Sequence, residues 1–440
     1  MSRRKPRIRV PATEYATSSE VVPALVAGGM TTAEATAALS RTSARLRRNL
    51  RLTEGEGSIL IDGESVKVVD VAGVLRLAPG VELDVAPKFL GDEHAAWRED
   101  LLAISNYTQR GHISSQHVRA QPGKTGDLSS VIGRAFVEEF WQHYRKPLRL
   151  YQHRRWRDYS LSGDLDLDAI HERSADGLPQ TAVSLDRRNP FNALLARAAE
   201  VLIADVRDGA VRTQLHRLRR VLGPQARPQR VLPPVPARHQ PWEGLIELSK
   251  RIVAGTDLLL HADRYEAPGF VLRTWEAWER MTYLALRLQL GFASVTAQQE
   301  HTWGWRGSDP IKVKPDVTMP QQSGPPRLVD AKYKTRVDRK KQNISQADLM
   351  EASAFMAACG GERIVLLYPR SAASGAPEPC GASRVFDVAT VVPGQQVLGV
   401  EVEVRGFSRQ NEHRRFSERL TAGVQAAFDL ADPDVASELS

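Results

Sequence analysis

Two acidic residues and one lysine flank two short apolar runs in the segment KPDVTMPQQSGPPRLVDAKYKTR. Asp316 follows a proline ahead of the first run, and Asp330 and Lys332 end the second. Successive side chains of a strand point to opposite faces, so Asp330 and Lys332 are expected on one face and Ala331 on the other. If the two runs pair as antiparallel strands through the Pro/Gly-rich turn, Asp316 lies close to Asp330.

Neighbouring carboxylates in a partly desolvated pocket repel each other, and a divalent cation relieves that repulsion. Mg²⁺ is the natural choice because it prefers oxygen ligands and keeps waters and substrate phosphates around it; Mn²⁺ can substitute. We therefore predict that Asp316 and Asp330 bind Mg²⁺ in a site that cuts nucleic acid. Lys332 is predicted to lower the pKa of the attacking water or to stabilise the charge of the transition state.

The preceding helical segment RTWEAWERMTYLALRLQL offers a further metal ligand. Glu276 and Glu279 are three residues apart, so either side chain could face the sheet. We favour Glu276 as a catalytic metal ligand, because Trp275 and Trp278 beside it indicate a packed helix in which a carboxylate needs a function. Glu279 is the alternative, and both glutamates could simply be solvated.

A basic run follows the acidic pair, at a place suited to neutralising phosphates. Each lysine or arginine there adds affinity for DNA without reading its sequence. The alternative for any run of charges is a solvated loop. The predicted DNA-binding residues are Lys334, Arg336, Arg339, Lys340 and Lys341.

The predicted elements occur in the order helix with Glu, single strand IKVKPDVTM with Pro-Asp, strand with Asp-x-Lys, helix, strand. Ser345 is expected to cap the second helix, SQADLMEASAFMAA, and RIVLLYP is the last strand. This order is the PD-(D/E)xK nuclease signature. We predict an α/β fold with a restriction-endonuclease-like PD-(D/E)xK core, in which helices flank a mixed central sheet. The alternative is that the two aspartates merely form turns at strand ends.

Three domains are predicted. Residues 1–125 form a mixed α+β domain, because a helix precedes short alternating runs that glycine and proline separate. Residues 126–240 form a helical and linker region, with one helix that Asn189 caps and Pro190 begins. This region ends in a connection with six prolines in twenty residues. Residues 241–440 contain the nuclease domain.

The 440 residues carry a formal charge of +8, a mild basic excess that is compatible with a polyanionic partner. Two cysteines cannot form a disulfide framework or a four-cysteine metal site, which favours a reducing compartment. The start MSRRKPRIRVPATEYA lacks the apolar core of a signal peptide, and no run approaches about 18 apolar residues. We therefore predict a cytoplasmic protein without a membrane segment. The basic start is predicted to be a solvated, disordered arm.

Several segments resemble the McrC family, the nuclease subunits of McrBC modification-dependent restriction systems. KPDVTM, RLVDAKYK and ADLMEASAF resemble the nuclease core of that family, and TWEAW resembles its aromatic-Glu-x-aromatic helix. YSLSGDLDL, DRRNPFNALLARAAEVL and VELDVAPKFLG, with Pro87, Lys88 and Phe89, resemble segments upstream of the core. The resemblance covers about residues 66–370 in separate blocks.

The resemblance implies a Mg²⁺-dependent endonuclease subunit that acts on double-stranded, modified DNA together with a McrB-like AAA+ GTPase hexamer. It implies that the partner reads and translocates DNA, while the N-terminal region of this chain engages the ring and stimulates GTP hydrolysis. The chain itself is expected to bind no nucleotide, because QPGKTG lacks the first glycine of a phosphate loop. Glu351 and Phe355 depart from the family's Gln and Tyr on the helix after Asp-x-Lys. Glu351 is the candidate DNA contact of this helix, but a glutamate would repel phosphate unless it binds metal.

Two other functions are compatible with the sequence. The chain could be a self-sufficient PD-(D/E)xK DNase in DNA repair, although a long N-terminal region without catalytic motifs disfavours this. It could also be a catalytically inactive adaptor that binds the ring. The intact Asp316, Asp330 and Lys332 disfavour the adaptor.

Overall fold

A computed structural model describes residues 8–50, 59–78, 81–94, 96–110, 128–171, 175–229, 231–257, 271–321, 323–333, 343–372 and 375–430. Its contacts divide the chain into two compact units. The first unit joins Met1–Leu128 to Gly269–Ser440, and the second comprises Ser129–Pro268. The first predicted boundary lies close to this division. The predicted nuclease domain begins at residue 241, but residues 241–268 fall in the second unit.

The N-terminal part of the first unit contains six strands and three helices among its described residues. They are β1 Ile8–Thr13, β2 Thr17–Ser18, α1 Val21–Ala27, α2 Thr32–Leu50, β3 Ile59–Asp62, β4 Ser65–Val68, β5 Val71–Ala78, β6 Val81–Ala86 and α3 Trp97–Arg110. Strands β2, β4 and β3 form one small antiparallel sheet, whereas β1 pairs in parallel with β6 and β6 antiparallel with β5.

The prediction of a solvated N-terminal arm is wrong for the residues from Ile8 onward. Ile8–Thr13 forms β1, in which Val10 and Ala12 are buried and Val10 lies opposite Leu83. Pro11 is tolerated because β1 is an edge strand, where a missing N–H breaks no ladder. Residues 1–7 lie outside the described part of the chain.

The second unit combines helices with a three-stranded antiparallel sheet in the order β7-β9-β8. Its elements are α4 Leu128–His143, β7 Leu150–Asp158, β8 Asp164–Leu165, β9 Leu178–Asp186, α5 Pro190–Asp205, α6 Gly209–Leu222 and α7 Glu243–Asp257. The predicted cap of α5 is confirmed, because Asn189 accepts the backbone N–H of Asn192 and Pro190 is the first helical residue. The predicted proline-rich connection is confirmed as well, since its described residues from 223 to 236 form no helix or strand.

The C-terminal part of the first unit is built on a six-stranded mixed sheet in the order β11-β14-β15-β16-β18-β17. Its elements are β10 Val271–Arg273, α8 Thr274–Leu290, β11 Thr296–Ala297, β12 His301–Arg306, β13 Asp309–Val313, β14 Val317–Met319, β15 Arg327–Ala331, α9 Gln346–Cys359, β16 Arg363–Pro369, β17 Ser383–Val392, β18 Gln395–Val402 and α10 Glu412–Leu430. Strand β10 pairs with β5 and thereby joins the N-terminal sheet.

Helices cover both faces of the six-stranded sheet. Val329 and neighbouring odd-numbered positions pack with α3, α8 and α10, whereas Leu328 packs with α9. This alternation is the period of two that a strand requires. The mixed α/β class is therefore confirmed. None of the described helices is long and apolar enough to cross a membrane.

The strands that carry the two aspartates are arranged as predicted, with one correction. Strands β14 and β15 are antiparallel, with Val317 opposite Val329, and β15 is parallel to β16. The predicted single strand IKVKPDVTM is wrong, because its first half is β13 in a separate hairpin with β12. Pro315 lies between the two halves, and its missing N–H cannot continue a ladder.

Candidate metal centre

Asp316, Asp330 and Lys332 converge where β14 begins and β15 ends. A carboxylate oxygen of Asp316 (Oδ2) accepts the backbone N–H of Ala331 at 2.8 Å. The Lys332 ammonium (Nζ) lies 2.6 Å from Oδ2 of Asp330. Antiparallel pairing places the start of β14 beside the end of β15. Asp316 and Asp330 therefore lie in one pocket, although fourteen residues separate them in sequence.

The two aspartates are held in a way that disfavours their charged forms. Burial and the neighbouring charges of Asp330 and Glu279 raise the pKa of Asp316 to about 8. The hydrogen bond from the Ala331 N–H and the charge of Lys332 lower this pKa but do not offset the increase. Burial also raises the pKa of Asp330, although Lys332 opposes this. A cation bound between the carboxylates would reduce this electrostatic repulsion and so stabilise their charged forms.

Lys332 remains protonated because two carboxylates hold its ammonium. Burial alone would lower the pKa of Lys332, but Asp330 and Glu351 more than offset it and the pKa is raised. Glu351 accepts a hydrogen bond from Nζ at 2.8 Å, and the ring of Phe355 lies 5.7 Å from Nζ. Glu351 and Phe355, which depart from the family pattern, therefore contact the lysine. The carboxylates of Asp330 and Glu351 therefore favour the charged form of Lys332.

Helix α8 is tied to the strand end that carries this lysine. The carbonyl of Leu367 accepts both the indole N–H of Trp278 at 3.0 Å and the backbone N–H of Lys332 at 2.8 Å. One residue beyond Trp278, Glu279 is close enough to Asp330 and Asp316 to interact electrostatically with both. The helix thus supplies a third carboxylate beside the pair.

Of the two candidate glutamates, Glu279 is the one that the structure groups with the aspartates. Burial, followed by the charges of Asp330 and Glu276, raises the pKa of Glu279 to about 7. Glu276 is 59% exposed and lies 3.2 Å from Arg273. Both glutamates line an open cleft of about 490 Å³ together with Asp316. Sequence spacing could not separate them, because residues three apart share one helix face.

The residues present fit Mg²⁺. Within the part of the chain that the structure describes, no three His, Cys, Asp or Glu side chains form a complete metal-binding group by themselves. Mg²⁺ needs no such cage, since it is commonly held by one or two carboxylates together with waters and substrate phosphates. The pair Asp316 and Asp330 matches that donor set. The predicted DNA-binding residues from Lys334 to Lys341 lie outside the described residues.

Comparison with solved structures shows the same fold. The chain is similar to a chain of the half-complex from the tetradecameric assembly of Thermococcus gammatolerans McrB AAA+ hexamers with bound McrC, with a TM-score of 0.69, 14% identity, and coverage of 94% of this chain and 100% of that one. It is also similar to a chain of the cryo-EM structure of the Thermococcus gammatolerans McrBC complex, with a TM-score of 0.50, 12% identity, and coverage of 64% of this chain and 88% of that one. No curated protein matches the sequence.

An acidic pair and a lysine at adjoining strand ends of a mixed α/β protein form a donor set of the kind that binds hard divalent cations. The family model described as McrBC 5-methylcytosine restriction system component matches residues 66–369. That match spans more than half of the chain. The chain belongs to this family of restriction system components.

Proposed function

We propose that this chain is the Mg²⁺-dependent DNA endonuclease subunit of a McrBC-type restriction system. It cleaves phosphodiester bonds in double-stranded, modified DNA when a GTP-driven AAA+ hexamer recognises and translocates that DNA. The observation that carries the proposal is the convergence of Asp316, Asp330 and Lys332 at adjoining strand ends. The order of β14, β15, α9 and β16 around them supports a PD-(D/E)xK core.

The chemistry divides among the residues of the site. Asp316 and Asp330 would hold Mg²⁺, which when bound polarises the phosphate and lowers the pKa of an attacking water. Lys332, kept protonated by Asp330 and Glu351, stabilises the negative charge that develops on the phosphate. Glu279 adds a third carboxylate at the cleft, beside the two aspartates.

Cleavage is expected only when the purified chain is combined with its AAA+ partner, GTP, Mg²⁺ and methylated DNA. The measurement is the appearance of cut DNA on a gel, with omission of each component as a control. Cutting with Mg²⁺ alone would favour the self-sufficient DNase. Absence of Mg²⁺ or Mn²⁺ binding by calorimetry, with the partner's GTPase still stimulated, would favour the inactive adaptor.

Glu279→Gln is expected to weaken Mn²⁺ binding and cleavage by about 10- to 100-fold, whereas Glu276→Gln changes each by less than about threefold. The range is that of substitutions beside metal ligands. Glu279 interacts electrostatically with the aspartates, while Glu276 is exposed and paired with Arg273. Calorimetric titration with Mn²⁺ and a cleavage time course check both values. The reverse order of effects would restore Glu276 as the ligand.

The sheet of the second unit offers a surface for the AAA+ partner. Gln180 is fully buried and ties down the loop after β7, since its side chain accepts the N–H groups of Ser162 and Gly163 and donates to the carbonyl of Ser160. A Cβ on Gly163 would lie 2.6 Å from the carbonyl of Thr181, so glycine is required there. The loop and the strand that follows it are therefore held in a defined conformation, yet they present large apolar side chains to solvent. These include Tyr159, Leu161, Leu167 and Leu178.

Exposed apolar side chains on an ordered loop are typical of a protein-binding surface. The arrangement supports partner binding through residues 150–186. The predicted role of residues 1–125 in binding the ring stays a prediction.

The double substitution Leu161→Asp with Leu167→Asp is expected to reduce stimulation of the partner's GTPase by at least about tenfold. Both side chains are more than 60% exposed, so the fold tolerates the change while the apolar surface is lost. GTP hydrolysis by the mixed proteins is the measurement. Val231→Asp, at a still more exposed apolar position outside this sheet, is the control. Equal stimulation by both variants would place the contact elsewhere.

The cysteines support a reducing compartment. Cys359 and Cys380 are both free. We propose a cytoplasmic location, where such thiols stay reduced.

A further inference from the structure

Glu14 receives hydrogen bonds from two segments of the metal centre, although its partners lie 260 and 319 residues further along the sequence. The carboxylate is 1% exposed and follows β1 directly. One oxygen (Oε1) accepts the hydroxyl of Thr274 at 2.5 Å, and the other (Oε2) accepts the hydroxyl of Tyr333 at 2.5 Å. Thr274 is the first residue of α8, and Tyr333 follows Lys332 immediately. Glu14 therefore connects the helix of Glu279 to the strand end of the catalytic lysine.

Lys88 supplies the charge opposite to Glu14. These two residues, together with Tyr15, Thr274 and Tyr333, are called the Glu14 cluster below. Its backbone N–H donates to Glu14 at 3.3 Å. Its ammonium lies 3.8 Å from the centroid of the Tyr333 ring and 4.6 Å from that of Tyr15, and it forms no hydrogen bond to the described residues. Cation–π contacts thus replace solvent around the ammonium. The Pro-Lys-Phe segment, which stood out in the sequence, closes this cluster.

The cluster also fixes the start of α8 from a second side. The hydroxyl of Tyr15 donates to the carboxylate of Asp70, and the carbonyl of Asp70 accepts the backbone N–H of Thr274 at 3.2 Å. Burial raises the pKa of Glu14 to about 7 and lowers that of Lys88 to about 8, while each charge opposes the shift of the other. The two groups therefore depend on one another inside the protein.

A buried charged pair is an expensive way to hold a core together. Apolar residues of similar volume are often as stabilising or more so. A carboxylate provides something that they cannot, namely two acceptor oxygens in fixed geometry for two separate donors. At Glu14 these donors belong to the two elements that carry Glu279 and Lys332.

We propose that Glu14 is a positioning residue of the metal centre: it sets the spacing between Glu279 on α8 and the Asp330–Lys332 pair at the end of β15. The proposal rests on the proposed nuclease function for the role of those side chains. It makes the residue that follows strand β1 part of the framework that holds the metal centre.

Variants that each remove one hydroxyl donor to Glu14 test this proposal, because they leave Glu14 and Lys88 in place. Tyr333→Phe removes the hydroxyl by which the strand end contacts Glu14 and Thr274, and Thr274→Val removes the hydroxyl by which the helix contacts Glu14 and Tyr333. Each is expected to raise the Kd for Mn²⁺ in calorimetry, and the Mg²⁺ concentration for half-maximal cleavage, by about tenfold. The double variant is expected to do little more than either single one, because either change already releases one element from the other.

Tyr107→Phe is the matched control. Tyr107 is equally buried, and its hydroxyl contacts Ser417 at 3.3 Å within the same core. This change removes a buried tyrosine hydroxyl far from Glu14 in the hydrogen-bond network, so the Kd for Mn²⁺ is expected to equal that of the unaltered protein. Thermal unfolding of all variants separates lost stability from lost positioning.

Two negative results have different meanings. If Tyr333→Phe and Thr274→Val bind Mn²⁺ as tightly as the unaltered protein, Glu14 does not position the centre, whatever their stability. If the unaltered protein neither binds Mn²⁺ nor supports cleavage, the nuclease function itself fails. Additive losses in the double variant would also overturn the proposal, since they would show that the two bonds act independently.

Discussion

Lys332→Ala and Asp330→Asn are each expected to abolish DNA cleavage while leaving stimulation of the AAA+ partner's GTPase intact. Asp330 is a proposed metal ligand, and the Lys332 ammonium 2.6 Å from it is the fixed charge that stabilises the transition state. Loss of one such preorganised charge lowers rates by about 10²- to 10³-fold. Cleavage and GTP hydrolysis measured in the same reaction check the separation of the two activities.

Stability must be followed in the same variants, because Lys332 is buried between two carboxylates. Its removal leaves Asp330 without a counter-charge, a change that costs about 3–5 kcal/mol for buried pairs. Lys312→Ala is the matched control, since its ammonium pairs with Glu300 at 2.8 Å on an exposed hairpin. The control should cut DNA at the normal rate. Retained cleavage in Asp330→Asn or Lys332→Ala would reject the site.

The acidic pair and its strands were predictable because their signals are local. Proline and glycine mark the turn between β14 and β15, and alternation fixes which side chains share a face. Ser345 fixes the start of α9, where it accepts the backbone N–H of Asp348. These features depend on residues that are neighbours in sequence. The meeting of Asp316, Asp330 and Lys332 follows from them.

The remainder of the site depends on pairings that no local pattern contains. Strand β1 lies parallel to β6, about seventy residues further on, so its register is decided by tertiary packing. Glu14 acquires its partners only through that pairing. The grouping of Glu279 with the aspartates depends on how Trp278 anchors α8 to Leu367. A hydrogen bond between distant elements leaves no trace in residue spacing.

Mg²⁺ is expected to raise the melting temperature of the protein strongly at high pH and hardly at all at low pH. In the folded protein the pKa of Asp316 is about 8 and that of Glu279 about 7, above their ordinary values. The folded state therefore holds protons that the unfolded chain has released, and these groups make the protein less stable as the pH rises from about 4 to 8. A bound cation removes that penalty, because it replaces the protons that hold the carboxylates together.

At a Mg²⁺ concentration of 100 times Kd, the stabilisation is about 2.7 kcal/mol, or roughly 5 °C in a domain of this size. We expect that increment at pH 8.5 and almost none at pH 5, where protons occupy the site. Asp316→Asn should abolish the increment and also raise the melting temperature without Mg²⁺, because it removes one of the repelling charges. Glu300→Gln, at an exposed carboxylate that pairs with Lys312 and Lys314, is the matched control and should keep the full increment. A Mg²⁺ effect that is independent of pH, or that survives Asp316→Asn, would mean that the ion binds outside this carboxylate pair.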